Sequence, residues 1–248
     1  MTKVALITGA SRGIGRATAL LLARQGYAVG VNYLRDAVAA RQVVAEIESL
    51  GGRALALQAD IADEAQVMAM FSALDAGLGT LGALVNNAGI LFQQGSIEQL
   101  TAERINKVLG TNVTGYFLCC REAVKRMAQR HGGQGGAIVN VSSAASRLGA
   151  PGEYVDYAAS KGAVDTLTTG LALEVAAQGI RVNGVRPGLI YTEMHASGGE
   201  PGRVDRVKES LPMRRGGQPQ EVAEIIAWLL SDAASYVTGS FIDAAGGR

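Results

Sequence analysis

Cysteine, histidine and charge are all scarce in this chain, and each shortage removes a class of function. Of 248 residues two are cysteines and two are histidines, and charged residues make up 18% with a formal net charge of +1. Cys119 and Cys120 are adjacent, and neighbouring side chains on a helix diverge by about a hundred degrees, so neither a shared metal nor a mutual disulfide fits them. Within GYFLCCREAV they read as small apolar fillers. His131 and His195 stand far apart with no partner at ligand spacing, so no metal site is expected. A net charge this small gives no field to steer the protein onto phosphate backbones or anionic lipid, which argues against a nucleic-acid partner. No apolar run is long enough to cross a bilayer, and MTKVALITGAS passes from Lys3 into an apolar strand without a signal-peptide pattern. A cytoplasmic protein without a membrane partner is therefore expected. What the chain has in quantity is hydrophobic residues, 48%, which with so few charges predict a compact, well-buried fold, and 33 glycines, whose clusters mark turns and loops.

Short β-rich runs alternate with longer helical patterns. The strands are KVALITG, YAVGVNY, ALALQAD, ALVNNAG, AIVNVSS, RVNGVRPG and GSFIDA. Between them, helical periodicity runs through RATALLLARQG, AVAARQVVAEIESLG, EAQVMAMFSALDAG, residues 101–130, residues 157–178 and EVAEIIAWLLS. Asp63 with Gln66 forms a capping signal for the third helix, and Gly26 and Gly51 stand where helices should stop. Strands apolar on both faces and separated by helices imply a parallel sheet covered on both sides, and right-handed crossovers make it doubly wound. No repeat, linker or composition break interrupts 1–248, so an α/β chain of one domain is expected.

The first strand ends in TGASRGIG and a helix follows at once. Gly9, Gly13 and Gly15 allow a tight turn and let a pyrophosphate approach the backbone, while the helix N-terminus supplies amide donors. Taken in order, TGASRGIG, NNAG at 86–89, Asn112 in NVTG, the serines of VSS, YAASK and RPG make the chain resemble the short-chain dehydrogenase/reductase family over essentially its whole length. The resemblance implies a single-domain Rossmann fold with a seven-stranded sheet, a nicotinamide cofactor and a homotetramer. It also implies roles by position. Ser11, Arg12 and Ile14 would line the phosphate turn beside the three glycines. Asp60 and Ile61 would meet the adenine. Asn86, Ala88 and Gly89 would pass along the adenosine ribose, with NNAG also bracing the sheet. Pro187, Gly188, Ile190 and Thr192 would hold the nicotinamide end.

A carboxylate at the end of the second strand normally pairs with the ribose hydroxyls of NAD and repels a 2′-phosphate. That position here is Tyr33, flanked by Asn32, Leu34 and Arg35, with no acid. Arg12 and Arg35 suit an extra phosphate, so NADP(H) is expected over NAD(H). Asp36 keeps the alternative open, since a shift of the turn would bring its carboxylate into place.

Two tyrosines precede Lys161. Tyr157 is four residues away and shares its helix face, whereas Tyr154 is seven away, at or before the helix start. Tyr157 is thus the phenol that the family pattern Y-x-x-x-K selects. Its ordinary pKa of ~10 suits neutral chemistry poorly, and an ammonium ~4 Å away at an effective dielectric near 20 would favour phenolate by about 4 kcal/mol. By resemblance Ser143 would hold the substrate oxygen. Its interval to Tyr157 is fourteen, one more than the frequent spacing, so Ser142 stays an alternative. Asn112 would anchor a water linking Lys161 to solvent; the plainer reading is a helix-interior Asn kinked by Gly110 and Gly115.

Substrate choice should lie in residues 144–155 and 190–215, the loops after the fifth and sixth strands, with ASGGEPG as a mobile flap over the ligand. Both loops are rich in glycine and poor in bulky apolar residues, which favours a small polar or carrier-linked substrate over a steroid. The chain resembles 3-oxoacyl-carrier-protein reductases and glucose dehydrogenases most. A sugar or polyol dehydrogenase is the alternative enzyme, and a dinucleotide-sensing protein without catalysis the alternative outside enzymology. The ending IDAAGGR departs from the family's V-D-G-G, which leaves the assembly contacts open, and Arg186 has no assigned role.

Overall fold

Val4, Ala5, Leu6 and Ile7 are buried on both strand faces, which only a central strand with helices on either side allows. The computed structural model describes residues 3–248 and places that strand, β1 (Val4–Ile7), in the middle of one seven-stranded sheet. With β2 (Ala28–Tyr33), β3 (Ala54–Gln58), β4 (Leu81–Asn86), β5 (Gly136–Val141), β6 (Ile180–Pro187) and β7 (Phe241–Ala244) the order is β3-β2-β1-β4-β5-β6-β7, and every pairing is parallel. The seven runs expected from sequence are the seven strands of the doubly wound sheet.

Helices cover both faces. They are α1 (Gly13–Arg24), α2 (Ala37–Ser49), α3 (Glu64–Leu78), α4 (Ala102–Leu109), α5 (Gly115–Met127), α6 (Ala145–Leu148), α7 (Val155–Val175), α8 (Met194–Ser197), α9 (Arg203–Val207) and α10 (Pro219–Leu230). One core layer includes Phe71, Leu74, Tyr116 and Met127 on the α3–α5–α7 side. The other includes Leu22, Val43, Ile47 and Ile226 on the α1–α2–α10 side. Asp63 caps α3 as expected, accepting from Gln66 N at 3.0 Å while Gln66 Nε2 donates to its other oxygen at 3.1 Å. Gly26 and Gly51 end their helices with φ of 86° and 80°.

Residues 101–130 do not form one helix. α4 and α5 are joined by a π-helical turn at Gly110–Thr114. At its end α5 runs so close to the residue 60–61 loop that a Cβ on Gly115 would lie 2.7 Å from Ile61 Cγ1. A wider turn frees main-chain carbonyls and turns Asn112 inward. The helix expected over 157–178 begins earlier, at Val155, and its last turn, Ala176–Gln178, is 3₁₀. The short helices α6, α8 and α9 lie in loops that carry no strong periodicity.

A chain of polar side chains crosses the buried α3–α5–α7 layer: Asn86 Nδ2 donates to Asn140 Oδ1 at 2.9 Å, and Asn140 Nδ2 donates to Thr168 Oγ1 at 2.9 Å. Asn140→Leu removes the shared partner and leaves a buried amide short of an acceptor, so stability should fall by about 1–3 kcal/mol. A denaturant midpoint unchanged from the parent would contradict this account.

Candidate active site

The sheet order reverses between β1 and β4, and the glycine turn sits above their carboxyl ends, where no crossover helix can lie. Thr8 fixes the gap. Its Oγ1 donates to Val85 O and accepts from Asn87 N and Ala88 N at 2.9 and 3.0 Å. Asn87 Nδ2 donates to Thr8 O and Gly9 O. The backbones are consequently so close that a Cβ on Gly9 would lie 2.9 Å from Ala88 Cα, and one on Gly15 would lie 2.4 Å from Gly9 O. Gly13 has φ of 55° and faces Thr192, whose Cγ2 would be 3.3 Å from an added Cβ. Arg12 occupies the N-cap of α1 but makes no side-chain cap, so the first-turn amides keep their outward donors. Ser11 and Ile14 are half-buried beside them. These features fit a pyrophosphate: glycine where side chains would collide, and open amides at a helix N-terminus.

The other expected cofactor residues are distributed unevenly. Ala88, Gly89, Gly188 and Thr192 are half-buried along the same crevice, with Pro187 and Ile190 packed beneath. Asp60 is half-buried, and its Oδ1 accepts from Ala62 N at 2.9 Å. Ile61 is buried against Gly115. Two side chains are spent elsewhere. Asn86 is fully buried, donating to Asn140 and to Cys120 Sγ, which leaves only its backbone for the crevice. Asn32 accepts from Gly9 N at 3.1 Å and donates to Leu57 O and Ala59 O, bracing the glycine turn from behind. Within NNAG, Asn86 thus ties β4 to β5 while Asn87 ties the stretch to the glycine turn. Tyr33 ends β2, Arg12 and Arg35 are exposed, and Asp36 caps α2 by accepting from Ala39 N at 2.9 Å. Its carboxylate is thereby drawn to the helix end.

Across the crevice, Tyr157 and Lys161 lie one turn apart on α7, and both are buried. Tyr157 is pushed up to about 12 by burial, with a hydrogen bond to Ser143 pulling the other way. Lys161 is pushed down to about 7, again by burial, with Asp165 opposing. The ammonium was expected to lower the phenol; instead desolvation dominates. Lys161 Nζ donates to Val141 O at 2.7 Å and to Tyr116 OH at 3.3 Å, and stands 5.7 Å from the Tyr157 ring centre. Tyr116, unremarked in the sequence, donates to the same carbonyl at 3.1 Å. Only its position, four residues after Asn112 on the next helical stretch, could have pointed to it.

The two serines differ. Ser142 is buried and its hydroxyl donates to Lys161 O at 3.2 Å, whereas Ser143 is half-buried, accepts from Ala145 N at 3.1 Å and reaches Tyr157. Asn112 is fully buried; Oδ1 accepts from Ile90 N at 2.8 Å, and Nδ2 donates to Ile90 O and Ser160 Oγ. It lies near both Gly89 and Lys161: a Cβ on Gly89 would be 3.5 Å from Asn112 Oδ1 and 3.7 Å from Lys161 Nζ.

Tyr154 has a different neighbourhood. Its hydroxyl donates to Gly198 O at 3.4 Å, and Arg203 stacks over its ring at 5.2 Å while pairing with Glu153. Gln94 Nε2 donates to Glu200 at 2.9 Å, and Gly95 N donates to Glu153 O at 3.0 Å. The glycine-rich segment after β6 is thus fastened to the loops after β4 and β5. Cys119 and Cys120 are buried, free thiols pushed well up by burial, consistent with packing residues. Among the described residues no group of His, Cys, Asp and Glu could hold a metal.

Comparison with known proteins agrees with this geometry. A family profile described as "Enoyl-(Acyl carrier protein) reductase" matches residues 9–248. The oxidoreductase YgfF of Escherichia coli (strain K12) is 74% identical over 245 residues, covering 99% of each chain. The 3-oxoacyl-[acyl-carrier-protein] reductase FabG of Staphylococcus aureus is 40% identical over 251 residues, covering 100% of this chain and 98% of its own. Among solved structures, a dehydrogenase/reductase from Sinorhizobium meliloti superposes with TM-score 0.90 at 34% identity, covering 99% of this chain and 94% of that one. Acetoin dehydrogenase YohF from Salmonella typhimurium gives 0.88 at 33%, covering 100% and 97%. A Rossmann sheet, a pyrophosphate-sized glycine turn at its switch point and a Tyr–Lys pair across the crevice, matched along nearly the whole chain, make this protein a member of the short-chain dehydrogenase/reductase family and an oxidoreductase acting on CH–OH groups.

Proposed function

We propose that the protein catalyses reversible, NADP(H)-dependent hydride transfer at the carbon of a carbonyl or secondary alcohol, in the manner of a 3-oxoacyl-carrier-protein reductase. The observation that carries this reading is the buried Tyr157–Lys161 pair one turn apart on α7, its amine 5.7 Å from the phenol ring centre, with Ser143 just past the end of β5. The nicotinamide, when bound, gives or takes the hydride. Ser143 holds the substrate oxygen, and Tyr157 gives or takes its proton. Lys161 holds the ribose and supplies positive charge beside the phenol. Asn112 keeps the π turn closed over Lys161 by pinning Ile90, and the turn's freed carbonyls suit a water leading from the amine to solvent.

The preference for NADP(H) rests on the end of β2. Tyr33 offers no carboxylate, Asp36 is engaged in capping α2, and neither Arg12 nor Arg35 makes an ion pair among the described residues. The carrier-linked substrate rests on the 40% identity to a protein named for that reaction. A second reading, a dehydrogenase of sugars, polyols or other small polar alcohols, draws on the fastened flap and on the likeness to a protein named acetoin dehydrogenase. One sheet drawing strands from Val4 to Ala244 supports a single domain. Exposed Leu109, Phe117 and Leu173 along α4, α5 and α7 support a homotetramer. No described helix is long and apolar enough to cross a membrane, and a cytoplasmic location is part of this proposal.

Tyr157→Phe keeps the ring and removes the proton, so turnover should fall by about 100-fold or more while NADPH binding, followed by fluorescence, stays within about twofold. Retention of more than a few percent of activity would remove Tyr157 from the role.

Alcohol oxidation needs the phenolate and carbonyl reduction the phenol. With the phenol raised by burial, the oxidation rate should climb with pH throughout the range from neutrality to about 10. Reduction should not climb with it. Initial rates in both directions at 340 nm over that range test the pairing.

Arg12→Ala with Arg35→Ala should weaken NADPH binding by about tenfold or more and leave NADH binding nearly unchanged. NADH bound by the parent protein at least as tightly as NADPH, at physiological salt, would overturn the cofactor preference.

A further inference from the structure

Asp165 lies one helical turn beyond Lys161 on α7 and has no part in hydride transfer as described above. Its carboxylate is largely buried. Oδ2 accepts from Arg186 Nε at 2.9 Å, and Oδ1 is buried without a hydrogen-bond partner. Arg186, on β6, is itself clamped. Its guanidinium carbon stands 4.0 Å from the centre of the Phe241 ring, and Nη1 is 3.7 Å from Asp243 Oδ1. Phe241 fills the space over Gly184, where an added Cβ would lie 2.4 Å from the ring. Asp243 is shared with Arg147, at 3.4 Å. The guanidinium is held between Asp165, Asp243 and the Phe241 ring, and one carboxylate oxygen of Asp165 remains buried and unpaired.

A half-paired carboxylate at that depth is costly unless its field serves another cation. Lys161 is that cation. Its amine donates to Tyr116 OH from α5 and to Val141 O from β5 and stands 5.7 Å from the Tyr157 ring centre, and none of these carries a carboxylate. Asp165, one turn further along the same helix with its unpaired oxygen buried, is the carboxylate whose charge acts on it. Burial drives the amine towards its neutral form, and Asp165 is the group that opposes it.

We propose that Asp165 is a positioning counter-charge that keeps the Lys161 amine protonated in the crevice, and that Arg186 limits how much of that negative charge Lys161 receives. The consequence for turnover rests on the hydride-transfer reading; the charge relation itself does not. A structural ion pair between α7 and β6 would be indifferent to the protonation of Lys161, whereas this arrangement makes opposite demands of its two members. Removing the carboxylate should make the amine easier to deprotonate. Removing the guanidinium should make it harder.

The chain contains five lysines, which makes the amine directly observable in full-length protein labelled with ¹³C,¹⁵N-lysine. The titrating signal missing from Lys161→Ala identifies Lys161. Relative to the parent, Asp165→Asn should move its midpoint to lower pH by about half a unit or more, and Arg186→Met should move it to higher pH. The double variant should return close to the parent. Shifts in the same direction, or no shift beyond about 0.2 unit in either single variant, would overturn the proposal. If Asp165→Asn does not fold, Arg186→Met decides alone: an upward shift, absent in the charge-retaining Arg186→Lys, supports the proposal, and its absence overturns it. Turnover of the parent with NADPH and a carbonyl panel is measured separately. An inactive parent with opposite NMR shifts sinks the functional reading and spares the counter-charge; an active parent without them does the reverse.

Discussion

The parallel pairing of β1 with β4, Val4–Ile7 against Leu81–Val85, is where the sheet changes its direction of growth, and every part of the site is hung from it. Helices following the two strands pack on opposite faces, so the space above their carboxyl ends is left open to a ligand. Thr8 holds the two strand ends together through three hydrogen bonds, and Asn87 and Asn32 fasten the glycine turn from either side. Backbone approach at this point is so close that Gly9 and Gly15 have no room for a methyl group. Strand packing at the floor thus imposes glycine at these two positions by itself, before any ligand is considered.

Burial governs the opposite wall. Tyr157 and Lys161 are both displaced towards their neutral forms by loss of water, to about 12 and about 7. A Coulomb estimate at ~4 Å, which makes the ammonium a strong acidifier of the phenol, assumes a charge that desolvation partly removes. In this arrangement the positive charge near the phenol is a quantity the surrounding groups must maintain. Tyr116, Val141 O and Asp165 each do some of that work, and the cationic ring of an oxidised nicotinamide would add to it.

The order of the strands and longer helices was legible in the sequence because the central strands are apolar on both faces and the longer helices keep their period, whereas α6, α8 and α9 carry no such signal. The placement of Gly9, Gly13, Gly15, Tyr157 and Lys161 was legible for a different reason: a tight turn and a shared helix face depend only on spacing along one turn or one helix. Residues whose function depends on a distant partner were not. Asn86 and Asn87 are adjacent letters, yet one faces the buried Asn140 and the other the glycine turn, and only the strand pleat decides which. Asp36 as a helix cap, Tyr116 under Lys161 and the α4–α5 break at Gly110–Thr114 likewise depend on packing between elements far apart in the chain.

The two tyrosines of EYVDYAASKG show how one short stretch serves two ends of the crevice. Tyr154 stands at the N-cap of α7, ahead of the first helical turn, and its side chain is directed to Gly198 and Arg203. Tyr157, three residues on, faces Ser143. Because α7 is a rigid helix anchored to β5 through Lys161, the position of Tyr157 relative to the sheet is fixed, while Tyr154 ties that same helix to the segment after β6. The helix start is the natural place for that division, since the backbone changes from loop to helix between the two phenols.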